Sequence, residues 1–259
     1  MESARAGSLN PDGMPDPFSK SASVDIFATT RWSVVLKAGG PAEEAQSALE
    51  KLCRTYWFPL YGYVRRRGID EHEAQDMTQE FFARLLNGSG LQTVRPEKGR
   101  FRAFLLASIK NFLANEWRDA RRLKRGGGKE FLSWDALDAE DRYGKEPADA
   151  IDAESWYDRH WAQNVVETAL SRLGSEMDEQ GLRERYATLK PFLQGDGGGR
   201  SYADAAKKAG LSESATKTAI FRMRRRYGEL IRDEIAQTVT SPAEVEEEIQ
   251  ALIALLGSA

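Results

Sequence analysis

Cysteine and histidine are nearly absent from this 259-residue chain, which narrows the chemistry available to it. The single cysteine, Cys53, excludes an internal disulfide and any cysteine-built zinc site, and its apolar neighbours predict that it is buried. The two histidines, His72 and His160, stand far apart, at no spacing typical of a metal site or a catalytic triad. We therefore expect no catalytic residues, no cofactor and no enzymatic activity.

Long hydrophobic runs are missing as well. No apolar run approaches the roughly 18 residues of a membrane span, and the N-terminus lacks a hydrophobic segment behind a basic start. We predict a cytoplasmic protein that makes no membrane contact. With 41% hydrophobic and 30% charged residues, the chain can still bury a core, and its length suits one large or two modest domains.

The formal net charge is only −3, but several long stretches have few charges of one sign and many of the other. Residues 95–130 carry eleven Lys or Arg against four Asp or Glu, and residues 131–159 carry three against nine. Residues 200–232 are basic again, with nine cations against three anions, and no Lys or Arg follows Arg232. Such local charge favours separate binding faces over a uniformly solvated surface.

Helical periodicity predicts an all-α fold of two helical domains joined by an acidic linker, the second domain containing a helix-turn-helix. Residues 1–28 are rich in proline and small residues, so we expect a disordered arm. We place the first domain at residues 29–125, beginning with a helix near Thr29, and the linker at 126–158. The second domain follows at 159–235, and an acidic amphipathic helix occupies 236–259. Pro59 predicts a kink or a break in the first domain. The linker's apolar residues, Tyr143 among them, suggest that parts of it either dock on one of the domains or thread a partner.

The most informative stretch is RSYADAAKKAGLSESATKTAIFRMRRRYGELI, residues 200–231. Tyr202 to Ala209 predicts a short helix with small residues for close packing. Gly210 suits the left-handed position that ends this helix, and Ser212 can cap the next one. The buried stripe of the second helix is predicted to contain Thr216, Ile220, Met223, Tyr227 and Leu230.

The opposite face of that second helix is small at its start and cationic farther on, as a helix in the DNA major groove requires. It carries Ser214, Ala215, Thr218, Arg222 and Arg225. The alternative is a solvated helical hairpin whose arginines only keep it soluble. The alanine-rich helix, the Gly-Leu-Ser turn and the outward arginines together favour DNA binding.

Two helices of the first domain also carry distinctive polar faces. In IDEHEAQDMTQEFFARLLNG, spacing alone favours a solvated face over a docking surface for a basic helix. In FRAFLLASIKNFLANEWRDARRLKR, the face opposite the apolar stripe combines amide, indole and guanidinium groups, which suit unpaired bases and their backbone. Whether Trp117 instead packs against the next segment stays open.

After Arg232 the sequence predicts a short acidic helix, with Ser241 as its cap and Pro242 in its first turn. Its apolar stripe comprises Val245, Ile249, Leu252, Ile253 and Leu256. Packing onto the preceding domain is the simpler expectation. A lid that covers the basic face, or a helix that binds a partner, is the alternative.

Three segments, DMTQEFFARLL, FRAFLLASIKNFLANEWRDARR and SYADAAKKAGLSESATKTAIFRMRRR, resemble the sigma-70 family of bacteria, extracytoplasmic-function (ECF) class. The resemblance covers roughly residues 43–125 and 160–235. It implies a sigma factor that binds core RNA polymerase and directs promoter recognition and transcription initiation. In that family the first domain, region 2, binds the β′ clamp helices and melts the −10 element, and the second, region 4, reads the −35 element.

The resemblance also implies roles for individual residues. The core-polymerase contact would comprise Asp76, Gln79 and Glu80, which reverses the solvated interpretation of that face. The contact with the −10 strand would comprise Asn111, Asn115, Trp117, Arg118 and Arg121, with the loop at 87–100 capturing a flipped base. The −35 contact would comprise Ser214, Ala215, Lys217, Thr218, Arg222 and Arg225.

Some features depart from the family pattern. Ala215 and Ala219 stand where many members have Thr and Arg, which leaves the −35 preference undefined. The arm, linker and C-terminal helix exceed a minimal ECF protein and, with TTRW at residues 29–32, resemble a subgroup. This favours regulation through these extensions over a membrane anti-sigma factor, although an anti-sigma factor or other regulator stays open as a partner. The alternative function is a stand-alone helix-turn-helix transcriptional regulator; a nucleic-acid enzyme would need residues that the chain lacks.

Overall fold

The computed structural model describes residues 43–86, 100–120, 140, 142–144, 151–193, 195 and 198–257. Within these ranges the chain is helical and contains no strand, so the all-α prediction is confirmed. The described residues divide into two compact units. The first unit holds the residues up to Glu167 together with those from Arg232 onward, and the second holds residues 168–231. The expected arm and the helix near Thr29 lie outside the described residues.

In chain order the helices are α1 (Glu43–Arg65), α2 (Glu71–Leu86), α3 (Phe101–Ala120), α4 (Ala153–Glu179), α5 (Arg183–Leu189), α6 (Tyr202–Ala209), α7 (Glu213–Ala236) and α8 (Pro242–Gly257). A 3₁₀ turn, Lys190–Phe192, follows α5. The boundary between the two units falls within α4 and again within α7. None of the helices in the described ranges is long and apolar enough to cross a membrane.

Helix α1 continues through Pro59 and is not broken there. A proline inside a helix removes one backbone N–H and leaves the carbonyl four residues earlier without its partner. That carbonyl belongs to Thr55, and it accepts a 2.8 Å hydrogen bond from Nδ2 of Asn164 on α4. The helix tolerates the proline because a side chain from another helix supplies the missing donor.

The core of the first unit is built largely from apolar residues of α1, α2 and α3. Cys53 on α1 is fully buried, and desolvation raises the pKa of its thiol, as expected for a packing residue. Phe81 on α2 meets Phe112 on α3 edge-on, with ring centroids 5.8 Å apart. The other buried residues of α2 and α3 include Ala74, Phe82, Leu85, Phe101, Leu105, Ile109 and Leu113.

The start of α4 packs tightly against α1. A β-carbon at Gly62 would lie 1.9 Å from Cη2 of Trp156, so only glycine allows the fully buried indole to approach the helix backbone. The indole also stacks on His160, with ring centroids 3.6 Å apart. Trp156 and Trp161 therefore belong to the first unit, whereas the predicted boundaries place Trp156 in the linker and Trp161 in the second domain.

The described part of the acidic linker docks on α1 as well. Arg65 donates from Nη2 to Oε1 of Glu140 at 2.9 Å, and Tyr61 donates its hydroxyl to the same carboxylate. The guanidinium of Arg65 lies 5.1 Å from the centroid of the Tyr143 ring. Tyr143 in turn contacts Trp156, with ring centroids 5.9 Å apart. Docking of the linker is thus observed at Glu140 and Tyr143.

The second unit packs the end of α4 against α5, α6 and α7. A β-carbon at Gly174 would lie 2.9 Å from Cε1 of Tyr186, whose hydroxyl donates to the carbonyl of Leu170 at 2.6 Å. Arg226 on α7 binds Glu176 on α4 with two hydrogen bonds of 2.9 and 2.8 Å. These contacts fix α7 against α4.

Helix α8 begins with a reciprocal cap. Glu244 N–H donates to Oγ of Ser241 at 3.4 Å, and Oε2 of Glu244 accepts from the backbone N–H groups of Thr240 and Ser241 at 2.7 and 3.1 Å. Burial opposes ionisation of Glu244, but these hydrogen bonds lower the pKa of its carboxyl. The predicted cap at Ser241 is confirmed.

The stripe predicted for α8 is only partly buried. Val245 and Leu252 face the core, but Ile253 is 56% exposed. Glu248, an acidic residue outside the predicted stripe, is 1% exposed and is paired with two arginines. The buried face of α8 therefore differs from the predicted stripe, because it includes the charged residue Glu248 and leaves Ile253 exposed.

Candidate nucleic-acid interface

The first candidate surface is the acid and amide face of α2. Asp70 caps the helix through its Oδ1, which accepts from Glu73 N–H at 2.9 Å. Asp76 is exposed and has no partner among the described residues, while Gln79 and Glu80 are partly exposed. These three residues lie on one side of the helix, because they are spaced by three and four positions.

Glu80 is held within that face by an ion-pair chain. Nε of Arg84 lies 2.7 Å from Oε1 of Glu80, and its Nη1 lies 2.8 Å from Oε1 of Glu116 on α3. The Arg84 guanidinium also lies 4.9 Å from the centroid of Phe112. Burial disfavours the charged form, but the two carboxylates raise the pKa of Arg84. Among the described residues, this surface therefore presents one carboxylate without a partner, Asp76, beside the paired carboxylate of Glu80.

The second candidate surface is the outer face of α3. Asn111 and Asn115 are exposed and lie one turn apart, so they share a face. Trp117 and Arg118 lie in the last turn of the same helix. The side chains of Trp117 and Arg118, the whole of Arg121 and the loop at 87–99 lie outside the described residues.

The described cations in and just before α3 are already paired. Arg100 and Arg102 form ion pairs with Glu248 of α8, and Lys110 lies 2.6 Å from Oε1 of Glu154 on α4. These are the cations of residues 95–130 whose side chains the structure describes. The positive charge counted in the sequence therefore overstates what α3 offers to a nucleic acid.

The third candidate surface is carried by α6 and α7, which are joined by a tight turn. Ser201 caps α6 by accepting from Ala203 N–H at 3.1 Å. Gly210 ends α6 at φ 65°, in the left-handed region that favours glycine. Ser212 then caps α7 by accepting from Ala215 N–H at 3.1 Å. The turn chemistry predicted for this segment is observed residue by residue.

Helix α7 separates its buried and exposed faces as predicted. The predicted stripe of Thr216, Ile220, Met223, Tyr227 and Leu230 is buried throughout. On the opposite side Ser214, Lys217, Thr218 and Arg225 are exposed, and Ala215 and Arg222 are partly exposed. All six residues predicted from the family resemblance for the −35 contact thus lie on the accessible side of the helix.

Sequence reasoning missed Phe221, which lies in the middle of this face. Its side chain is 67% exposed, the most exposed large hydrophobic residue in the described part of the chain. The signal was present, because Phe221 follows Lys217 by four positions and precedes Arg225 by four. The face therefore combines hydroxyl, cationic and aromatic groups.

The arginines of α7 differ in what they can do. Arg224 donates from Nε to the carbonyl of Phe192 at 2.8 Å and from Nη2 to that of Gly195. Hydrogen bonds from Arg226 to Glu176, opposed by partial burial, raise the pKa of that guanidinium. Arg222 has no hydrogen-bond or ion-pair partner among the described residues, and Arg225 makes a 3.7 Å contact with Glu229. Of these four arginines, Arg224 and Arg226 are bound to groups outside α7, whereas Arg222 and Arg225 have no such partner in the described part of the chain.

Lys217 at the start of α7 is paired weakly. Its Nζ lies 2.7 Å from Oε1 of Glu213, one turn earlier, and 5.7 Å from the centroid of the Tyr202 ring. The hydrogen bond to Glu213 raises the pKa of Lys217. Both partners of the ion pair are more than half exposed, so the lysine can exchange this carboxylate for an external anion.

Comparison with protein families gives one match, to sigma-70 region 2, over residues 52–123. No curated protein and no solved structure matches the chain. The matched residues run from α1 through the end of α3, and thus include the acidic face of α2 and the amide face of α3. Residues 52–123 are therefore similar to sigma-70 region 2, and the predicted resemblance to the sigma-70 family is confirmed over that stretch.

Proposed function

We propose that this protein is a sigma factor of the ECF class, which binds core RNA polymerase and directs transcription initiation at promoters with a −10 and a −35 element. The observation that carries the proposal is the region 2 match, because polymerase binding and promoter melting are the roles of that domain. The protein acts by placing partners and needs no covalent chemistry of its own.

Core polymerase docks on the outer face of α2. Asp76 offers an exposed carboxylate there, and Gln79 offers an amide one turn along the same face. Both groups suit a basic helical partner such as the β′ clamp helices. The ion pair with Arg84 already orders the side chain of Glu80. Binding of the partner therefore avoids the entropic cost of ordering that carboxylate.

The opened −10 strand lies along the outer face of α3. Asn111 and Asn115 present amides, which donate to and accept from base edges. Trp117 and Arg118 follow on the same helix, and Arg121 comes three positions after Arg118. An indole and a guanidinium are the groups on which an unpaired base stacks.

The −35 duplex is read by α7, whose exposed face enters the major groove. Its N-terminal part carries Ser214, Ala215 and Thr218, small enough for close approach to the bases. Arg222 and Arg225 supply charge for phosphates or guanine edges farther along. Phe221 adds an apolar group at the centre of this face.

The deciding experiment is run-off transcription with purified core polymerase and a pool of promoter fragments from the same genome. Transcripts that depend on the protein, with shared upstream elements, would support the proposal. A shift of duplex DNA without any transcript would favour the stand-alone helix-turn-helix regulator. The same reaction would reveal a partner requirement, such as an anti-sigma factor or another regulator, if cell extract altered the yield.

A further inference from the structure

Helix α8 and the start of α3 meet at a carboxylate that is almost inaccessible to solvent. Oε1 of Glu248 lies 2.6 Å from Nη1 of Arg100 and 2.9 Å from Nη2 of Arg102. Oε2 of Glu248 accepts from Nε of Arg102 at 3.1 Å. Arg102 therefore binds both oxygens of one buried carboxylate, the strongest arrangement available to an ion pair of this kind.

Arg102 is itself enclosed by the first unit, with a side chain that is 14% exposed. It forms a second ion pair with Asp158 on α4, and its guanidinium lies 4.3 Å from the centroid of Trp161. Its backbone carbonyl accepts from the hydroxyl of Tyr157 at 3.1 Å. Without Glu248, this guanidinium would lose its bidentate partner in a largely buried site, which is costly for a charged group.

The backbone makes a second connection. The N–H of Phe101, at the first residue of α3, donates to the carbonyl of Thr238 at 2.9 Å. The first N–H groups of a helix have no partner within the helix, so Thr238 serves as a cap for α3. Val239, Val245 and Leu252 add buried apolar surface around the same contact. The segment before α8 and α8 itself thus hold α3 by charge, backbone and apolar contacts together.

We propose that residues 237–257 are a strap that completes the region 2 domain, so that the domain is assembled from both ends of the described chain. A lid that leaves when DNA arrives would have to separate at small cost, and the buried pair of Arg102 and Glu248 makes separation expensive. The strap lies outside the matched residues 52–123, yet it orders the first turn of the helix that carries Asn111. The inference goes beyond the proposed function, because it concerns the folding of the domain and not its promoter.

The first test compares two neighbouring carboxylates on α8 in the full chain. Glu248→Gln removes the buried charge, and the matched control Glu246→Gln removes a charge whose pairing with Arg232 is more than half exposed on both sides. We expect amide hydrogen exchange at residues 101–105 to accelerate at least tenfold in the first variant and less than twofold in the control. Equal exchange in the two variants would overturn the proposal.

The second test removes residues 237–259 and then returns them as a synthetic peptide. If residues 237–257 act as a strap, truncation should accelerate amide hydrogen exchange in α3. A saturating concentration of the peptide should then restore the protection of α3. If the truncated chain does not fold, restored solubility on co-expression with the segment serves as the same readout. A truncated chain whose α3 exchanges as slowly as the full chain, and which binds single-stranded DNA more tightly, would identify a lid and reject the strap.

Discussion

Replacing Arg222 by alanine tests whether the exposed face of α7 contacts DNA. The side chain has no partner among the described residues, so its removal breaks no internal ion pair that the structure describes. The fold should therefore be unaffected, and any change in binding should come from the lost contact with the nucleic acid. This makes Arg222 a cleaner probe than Arg226, whose guanidinium holds α7 to α4.

The size of the effect follows from counterion release. Each phosphate that a protein neutralises contributes about 0.9 to the slope of log K against log salt concentration on duplex DNA. Loss of one contact should reduce that slope by the same amount, so the ratio of wild-type to variant affinity should fall about 3- to 4-fold between 50 and 200 mM salt. If Arg222 instead reads a guanine edge, the variant should lose about 1–3 kcal/mol of discrimination at one base pair.

The assay is fluorescence anisotropy with a duplex that carries the upstream element found by transcription, titrated at several salt concentrations. Arg224→Ala is the matched control, because it removes the same charge from the same helix at a side chain bound to the carbonyls of Phe192 and Gly195. The control should lower stability and leave the salt slope nearly unchanged. An Arg222→Ala slope equal to that of the wild type or of the control would refute the contact.

Three further experiments test other parts of the chain. Asp76→Arg together with Glu80→Arg should abolish co-purification with core polymerase while the circular dichroism spectrum stays unchanged; normal co-purification would refute docking on α2. Gly62→Ala should lower the free energy of unfolding by about 1–3 kcal/mol through overpacking, whereas Gly228→Ala, whose β-carbon would meet no atom within 4 Å, should not lower it. Asn164→Leu should cost about 1 kcal/mol in a denaturant titration because it leaves the carbonyl opposite the proline unpaired, and an unchanged midpoint would contradict that role.

Much of the fold could be predicted because local chemistry decided it. The left-handed Gly210, the caps at Ser212 and Ser241 and the buried stripe of α7 each depend on residues within a few positions of one another. Local rules left open whether Pro59 would kink or break α1, and the helix is not broken there. Its replacement donor, Asn164, lies 109 positions from the carbonyl that it satisfies, and no periodicity marks such a pair.

The candidate sites show the same division. Exposure of Asp76, Asn111 and Ser214 follows from helical spacing, so their faces were predictable from the sequence. The role of each cation could not be predicted from the sequence, because it depends on which carboxylate or carbonyl group the fold brings near. Arg224 and Arg225 are neighbours in sequence and both are exposed, yet Arg224 is bound to two carbonyls and Arg225 makes only a 3.7 Å contact with Glu229.

This difference changes how alternating charge in such a chain should be interpreted. A basic stretch followed by an acidic stretch suggests a cation-rich surface beside an acidic segment that shields it. In the first unit the charge of Arg102 is neutralised inside the domain, because Arg102 forms ion pairs with Glu248 and Asp158. In the second unit Arg222 is left without such a partner among the described residues. Cations available to DNA are therefore best identified by excluding those with buried carboxylate or carbonyl partners, and Arg222 on α7 is one of the cations that remain in the described part of the chain.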